Sequence, residues 1–244
     1  MSKLDRITVT GADDSVEPGH LFELAGRYPL VEFGILYDNH PGKPRFPSHR
    51  WVAELEAMAL QAGPCAPKFA AHLCGEYVPE FLSGVLSELP SHYRRIQLNT
   101  HAEPHVTYLR NLRRNLVTCA EHGVQVIFQR DGANDDLFDL VLAGRRAGLK
   151  FDVATLFDVS HGAGILPSEW PVPLPEVYCG FAGGLSPENV AGQIAKLEVV
   201  CSDATVRSYW IDAETYLRSF DEKKFDLGRV ERFLAVASAW PAAT

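Results

Sequence analysis

Eight short runs rich in β-branched and aromatic residues recur along the chain, at Ile7 to Thr10, Val31 to Tyr37, Phe69 to Leu73, Arg95 to Asn99, Val124 to Gln129, Val153 to Asp158, Val177 to Phe181 and Ser208 to Asp212. Segments with helical spacing lie between most of them. In TYLRNLRRNLVTCAEHG, Tyr108, Leu109, Leu112, Leu116 and Cys119 share one apolar face and Gly123 supplies the stop. VAGQIAKLEVV and FDLGRVERFLAVA read the same way. Strands joined by helical crossovers pair in parallel, and a sheet that closes on itself leaves no exposed edge. The pattern predicts an α/β fold, a single (β/α)8 TIM barrel over residues 1–244, with an open doubly wound sheet as the alternative. The weak place is HGAGILPSEWPVPLP, whose four prolines predict a long loop where the sixth helix should be.

Composition narrows the function. With 46% hydrophobic and 22% charged residues the chain can bury a sizeable core, which excludes disorder. A net charge of -8 without a Lys/Arg block excludes the electrostatic footprint of a nucleic-acid binder, so the expected partners are small molecules. No apolar run is long enough to span a bilayer. Five scattered cysteines without a Cys-x-x-Cys pair, and an opening MSKLDRITVT without the apolar run of a signal peptide, predict a reduced cytoplasmic setting. Zinc-ligand spacings are absent, and neither a metal nor a cofactor is expected. The sequence is silent on oligomeric state.

Alternate residues of a barrel strand point into the barrel, and barrel sites lie at the C-terminal ends of the strands. Several of the expected strands carry polar residues there: His72 and Cys74, Gln97 and Asn99, Gln125 and Gln129, Asp158, and Asp212. Polar groups in a barrel must be hydrogen-bonded or wet, so their gathering predicts a mouth that holds a polar ligand. The competing reading is a satisfied structural network.

Three collinear stretches resemble phosphoribosylanthranilate isomerase, a (β/α)8 enzyme of tryptophan biosynthesis. GFAGGLSPENV, Gly180 to Val190, is similar to that family's seventh-strand signature Ala-Gly-Gly-Leu-x-Pro-Glu-Asn-Val. Here Gly183 and Gly184 let backbone amides approach an anion, Ser186 suits the N-cap and Pro187 the first helical position, so these residues are the expected phosphate site. LFDVSHGAGILPSEW resembles the family's sixth strand, which implies that Asp158 is the general acid of an Amadori rearrangement of an aminoaldose phosphate. GKPRFPS resembles the Ser-Pro-Arg-Tyr turn, which implies that Arg45 grips a substrate carboxylate. IQLN is similar to the family's Gln-Leu-His-Gly, placing Gln97 and Asn99 beside the substrate, with Asn99 at the histidine position.

Two departures stand against this. The family's general base is a cysteine ending the first strand, and here Thr10 occupies that place; its hydroxyl ionises far above neutrality. Asp13, Asp14 or His161 is the nearest replacement base by sequence. On the eighth strand IDAETYLRS keeps Asp212, but Glu214 and its neighbours replace the Ser-Gly pair of the phosphate cradle, so a carboxylate stands where phosphate should bind unless Arg218 or a metal offsets it. Three functions stay open: an isomerase of the family with a replacement base, a related barrel enzyme acting on an unphosphorylated aldose or a carboxylate, or a barrel that binds a metabolite or protein without catalysis.

Overall fold

The computed structural model describes residues 3–83, 92–99, 106–132, 135–158, 163–202 and 205–240. Eight parallel strands, β1 (Leu4–Thr10), β2 (Val31–Tyr37), β3 (Lys68–Leu73), β4 (Tyr93–Leu98), β5 (Gln125–Arg130), β6 (Val153–Phe157), β7 (Tyr178–Ala182) and β8 (Tyr209–Ala213), close in sequence order into one barrel. The helices α1 (Gly19–Arg27), α2 (His49–Ala62), α3 (Tyr77–Ser83), α4 (Val106–Glu121), α5 (Asp135–Arg146) and α6 (Val190–Val200) lie in the other crossovers, α7 (Leu227–Ser238) follows β8, and among the described residues no helix joins β6 to β7. This is the (β/α)8 barrel expected from the eight runs, with the proline-rich sixth crossover left as a loop.

Local chemistry starts and stops these elements as the sequence suggests. Ser48 caps α2 by accepting from Trp51 N, and Asp226 caps α7 by accepting from Arg229 N. The start of α6 differs from expectation. The regular helix begins at Val190, and a turn over 187–189 precedes it. Ser186 still accepts from Glu188 N through its hydroxyl (3.2 Å), while Asn189 Oδ1 accepts from Ser186 N (2.9 Å), a reciprocal cap around the turn.

The strand pleat sorts side chains into two layers. Outward residues such as Ile7, Val9, Phe33, Phe128 and Ile211 pack against the helices in one large core. Inward, a smaller apolar cluster of Ile127, Ala154, Leu156, Ala182 and Trp210 fills only the β5 to β8 side. The β1 to β4 side carries polar residues instead, among them Thr8, Glu32, His72, Arg95 and Gln97, all buried.

At the N-terminal end this polar material forms a closed floor. Glu32, 1% exposed, takes Arg95 at 2.7 Å, Thr8 Oγ1 at 3.1 Å and the Arg6 guanidinium. The Arg95 guanidinium lies over the Trp210 ring, 4.1 Å from its centroid, and donates from Nε to Gln125 Oε1. Trp210 in turn occupies the space over Gly180, where a Cβ would fall 2.1 Å from the indole. Gln125, expected at the mouth, opens β5 instead and belongs to this floor through Arg95 and Asp152.

Candidate functional site: the mouth of the barrel

At the C-terminal ends of the strands a cavity of about 260 Å³ is lined by Thr10, Arg45, His72, Cys74, Gln97, Asn99, Gln129, Asp158, Gly183, Gly184, Asp212 and Glu214, among others. Arg45, Gln97, Asn99, Asp158, Gly183, Gly184, Asp212 and Glu214, all expected at the site from the sequence, meet here. Asp13 and Ser186 do not line it, and His161 lies outside the described residues.

The wall made by β6, β8 and the loop that follows β8 is acidic. Asp158 follows the last residue of β6, and its Oδ2 accepts from Gln129 Nε2 at 3.1 Å. Asp212, within β8, is 6% exposed and accepts at Oδ1 from Thr10 Oγ1 at 2.8 Å. Burial, with the charges of Glu214, Glu32 and Asp158 against the single bond from Thr10, pushes its carboxyl up to about 8. Asp212 thus holds its proton at neutral pH and presents a carboxylic acid to the cavity. Glu214 is also raised, first by burial and then by Asp158 and Glu222, while the cationic Arg45 and Arg218 pull it down.

Arg45 is engaged within the chain. Its guanidinium bridges Glu214 at 2.9 Å and Glu222 at 3.1 Å across the rim, so a substrate carboxylate would have to displace one of them. The backbone at Arg45 is left-handed, with φ 73°, a conformation that costs a non-glycine residue energy. It is held there by its own amide, which donates to Asp13 Oδ2 at 2.6 Å.

Asp13 serves as a clamp behind the rim. Its carboxylate takes Ser15 N and Oγ, Arg45 N and Arg218 Nη2, and although burial opposes ionisation these bonds hold it below the usual carboxylate range. Arg218, fully buried, adds bonds to Gly11 O and Glu222 O. Asp14 ties down the start of α2 through Ser48 N and Oγ. Neither carboxylate reaches the cavity.

The facing wall, from β3 and β4, is polar and uncharged. Burial above all drives the His72 imidazole down to about 3, so it is neutral, and the Cys74 thiol is pushed up to about 12. Gln97 Nε2 donates to Asn99 Oδ1 at 2.8 Å, and Asn99 Nδ2 to Cys74 Sγ at 3.3 Å. Gly183 and Gly184, with φ of 112° and 65°, turn the chain at the end of β7. A Cβ on Gly184 would lie 2.5 Å from Leu166 N, so the turn requires glycine. Among the described residues no three His, Cys, Asp or Glu side chains group as a metal site requires.

One contributing residue and one property of another were not singled out from the sequence. Gly34, in the middle of VEFGILY, lacks a Cβ that would sit 2.3 Å from Thr10 Oγ1 and 2.9 Å from His72 Nε2, which lets both side chains enter the barrel together. A glycine inside a strand signals such close approach. The retained proton of Asp212 was foreshadowed only by the apolar residues on either side of it in YWIDA.

No protein-family model matches the chain, and no curated protein matches it in sequence. The fold itself is one that hosts enzymes and small-molecule binders, with their sites at this face. Among the described residues no helix is long and apolar enough to cross a membrane.

Proposed function

We propose that the barrel is an acid–base isomerase of the aldose–ketose type, acting on a small polyhydroxylated metabolite whose reacting end carries no full negative charge. The observation that carries this reading is that two carboxyl groups, Asp212, buried with Thr10 Oγ1 as its donor, and Asp158, line one cavity. Two carboxyl groups whose environments differ are what a proton shuttle between carbon and oxygen needs. In this scheme Asp158 removes the proton from C2 of the sugar. Asp212 gives its proton to the carbonyl oxygen at C1 of the open-chain aldose, and the resulting enediol collapses to the ketose as Asp158 delivers its proton to C1 and Asp212 takes the proton from the C2 hydroxyl, which restores both groups.

The resemblance to phosphoribosylanthranilate isomerase supports the same reaction type. Asp158 and the Gly183–Gly184 turn line the cavity, which supports that reading. The roles are redistributed: Asp158, the acid by the resemblance, is the base in our scheme, the proton donor is Asp212, and Thr10 serves by holding Asp212 at 2.8 Å. A phosphorylated substrate is the second reading, favoured by the two glycines of that turn, whereas the Glu214 carboxylate on the same cavity disfavours it.

The test is deuterium wash-in at C2, followed by proton NMR in heavy water, with free aldopentoses, their 5-phosphates and phosphoribosylanthranilate as substrates. Exchange is expected with a free aldopentose, falling at least about 10²-fold in both Asp212→Asn and Asp158→Asn. Exchange confined to the phosphorylated compounds selects the second reading, and no exchange with any of them overturns both.

A further inference from the structure

We infer that the β3–β4 wall of the mouth is a subsite for one hydroxyl group of the ligand, held between His72 and Gln97. The inference rests on the reading of the mouth as a site for a polyhydroxylated molecule, and it names the contacts that would select one.

His72 Nε2 and Gln97 Oε1 are buried atoms without a hydrogen-bond partner among the described residues. The two side chains are 1% and 4% exposed, and both line the cavity. They stand on the same rung of the barrel, because His72 and Gln97 are register partners across β3 and β4. Buried polar atoms are as a rule paired, so two orphans from neighbouring strands on one cavity wall point to a group that arrives with the ligand.

The chemistry of that group follows from what the wall offers. The Gln97 amide is oriented by its bond from Nε2 to Asn99 Oδ1, and Asn99 is oriented in turn by Cys74, which leaves Gln97 Oε1 as an acceptor. We take the neutral imidazole in the tautomer protonated at Nε2, where it supplies a single N–H donor. The complement of one acceptor and one donor is a group that both donates and accepts, which is a hydroxyl. A carboxylate or phosphate could not donate to Gln97 Oε1, and an ammonium could not accept from His72.

Placement ties the subsite to the acid. Because Gly34 has no side chain, the His72 ring edge and Thr10 Oγ1 converge on one point, and Thr10 donates to Asp212 at 2.8 Å. A hydroxyl bound by His72 therefore lies next to the group that carries the mobile proton. His72 and Gln97 are specificity residues in this scheme, and neither exchanges a proton with the substrate.

The experiment is imidazole ¹H–¹⁵N NMR on labelled wild-type protein, titrated with D-ribose and with its 2-deoxy, 3-deoxy and 5-deoxy analogues. Ribose is expected to shift the His72 ring signals saturably, and one deoxy analogue to bind at least about tenfold more weakly, as expected when a site built for a hydroxyl is left unpaired. Gln97→Leu should weaken ribose to the level of that analogue while leaving the analogue's own affinity unchanged. Saturable ribose binding that leaves the His72 signals unmoved, discrimination that persists in Gln97→Leu, or no binding by any of the four sugars would overturn the subsite. The wild-type titration decides the matter even where Gln97→Leu fails to fold. Failure of C2 exchange together with a shifted His72 signal removes the isomerase and leaves the subsite, whereas exchange with an unmoved His72 does the reverse.

Discussion

The floor and the mouth of this barrel are built from the same residue types and end in opposite electrostatic states. At the floor Glu32 is enclosed by Arg95, Arg6 and Thr8, and although burial opposes ionisation the two guanidiniums hold it below its ordinary range. At the mouth Asp212 is buried as deeply, has one hydroxyl for a partner, faces the carboxylates of Glu214 and Asp158, and is pushed up to about 8. Burial is common to both, so the partners decide which carboxyl is a charge and which is an acid. A closed ion-pair network fixes structure, and an under-partnered acid is available for chemistry.

The largest effect should come from breaking the floor. Glu32→Leu leaves Arg95 buried against an aromatic ring without its anion, and we expect about 3–5 kcal/mol of lost stability in urea titrations. A loss under about 1 kcal/mol would mean that the network is incidental.

At the mouth, Asp212→Asn removes the proton and keeps an acceptor for Thr10. Turnover should fall by about 10² or more. Stability should move the other way. The folded state keeps a proton that the unfolded state releases, so Asp212 favours folding below the ordinary carboxylate range, and that contribution is lost as pH rises through about 8. For Glu32 the sign is reversed: its contribution is present above the ordinary carboxylate range and is lost as pH falls through its depressed value. Melting curves from pH 4 to 9 should therefore show Asp212→Asn gaining on wild type with rising pH. A constant offset between the two would contradict a retained proton.

The two strand glycines sharpen the contrast between regions. A Cβ at Gly180 falls 2.1 Å from the rigid Trp210 ring, and one at Gly34 meets Thr10 Oγ1 at 2.3 Å and the His72 ring. Both alanine variants overpack the interior, at about 1–3 kcal/mol each, with Gly180→Ala at the upper end. Gly34→Ala should also abolish turnover by displacing Thr10 from Asp212, whereas activity in Gly180→Ala, measured below its melting temperature, should survive.

Smaller effects belong to the rim. Glu214→Gln removes a carboxylate from the cavity that holds the Gly183–Gly184 turn and should tighten inorganic phosphate by about tenfold, near 1.4 kcal/mol, in calorimetric titration. Unchanged or weaker affinity would count against any phosphate reading of that turn. Glu222→Gln should cost under about 1 kcal/mol, since an exposed partner of Arg45 contributes little.

The barrel was legible because both of its signals are local. Strand runs and helical spacing lie within short windows, and the four prolines after Asp158 mark the helix-free crossover in the same way. The polar mouth was legible for a related reason: once the strands are parallel, their C-terminal ends must meet, which brings Asp158, Asp212, Gln97 and Asn99 together. Roles were not legible. Asp13 reads in sequence as a loop carboxylate near the expected base position, and only the fold reveals that Arg218, 205 residues away, occupies it. Arg45 reads as an anion grip, and the anions it holds are Glu214 and Glu222 of its own chain. Protonation states depend on charges gathered from several strands, so Asp212 could not be told from Glu32 by its neighbours in sequence.

Among the described residues no helix joins β6 to β7, and this has a mechanical consequence. Where other strands are backed by a helix, β6 and β7 are covered by a loop anchored at separate points: Trp170, edge-on to Phe181 and bonded to Gln193 on α6, Leu174, whose amide meets Cys179 Sγ, and Glu176, held by Arg145 and Arg146 of α5. A closed ring of strands has no free end from which to unzip, so it opens first at its least buttressed seam. In native-state hydrogen exchange the amides between β6 and β7 should be the earliest in the barrel to trade with solvent, at a free energy below that of global unfolding. Asp158 sits at the top of that seam, so the ring would part beside one of its own candidate catalytic groups.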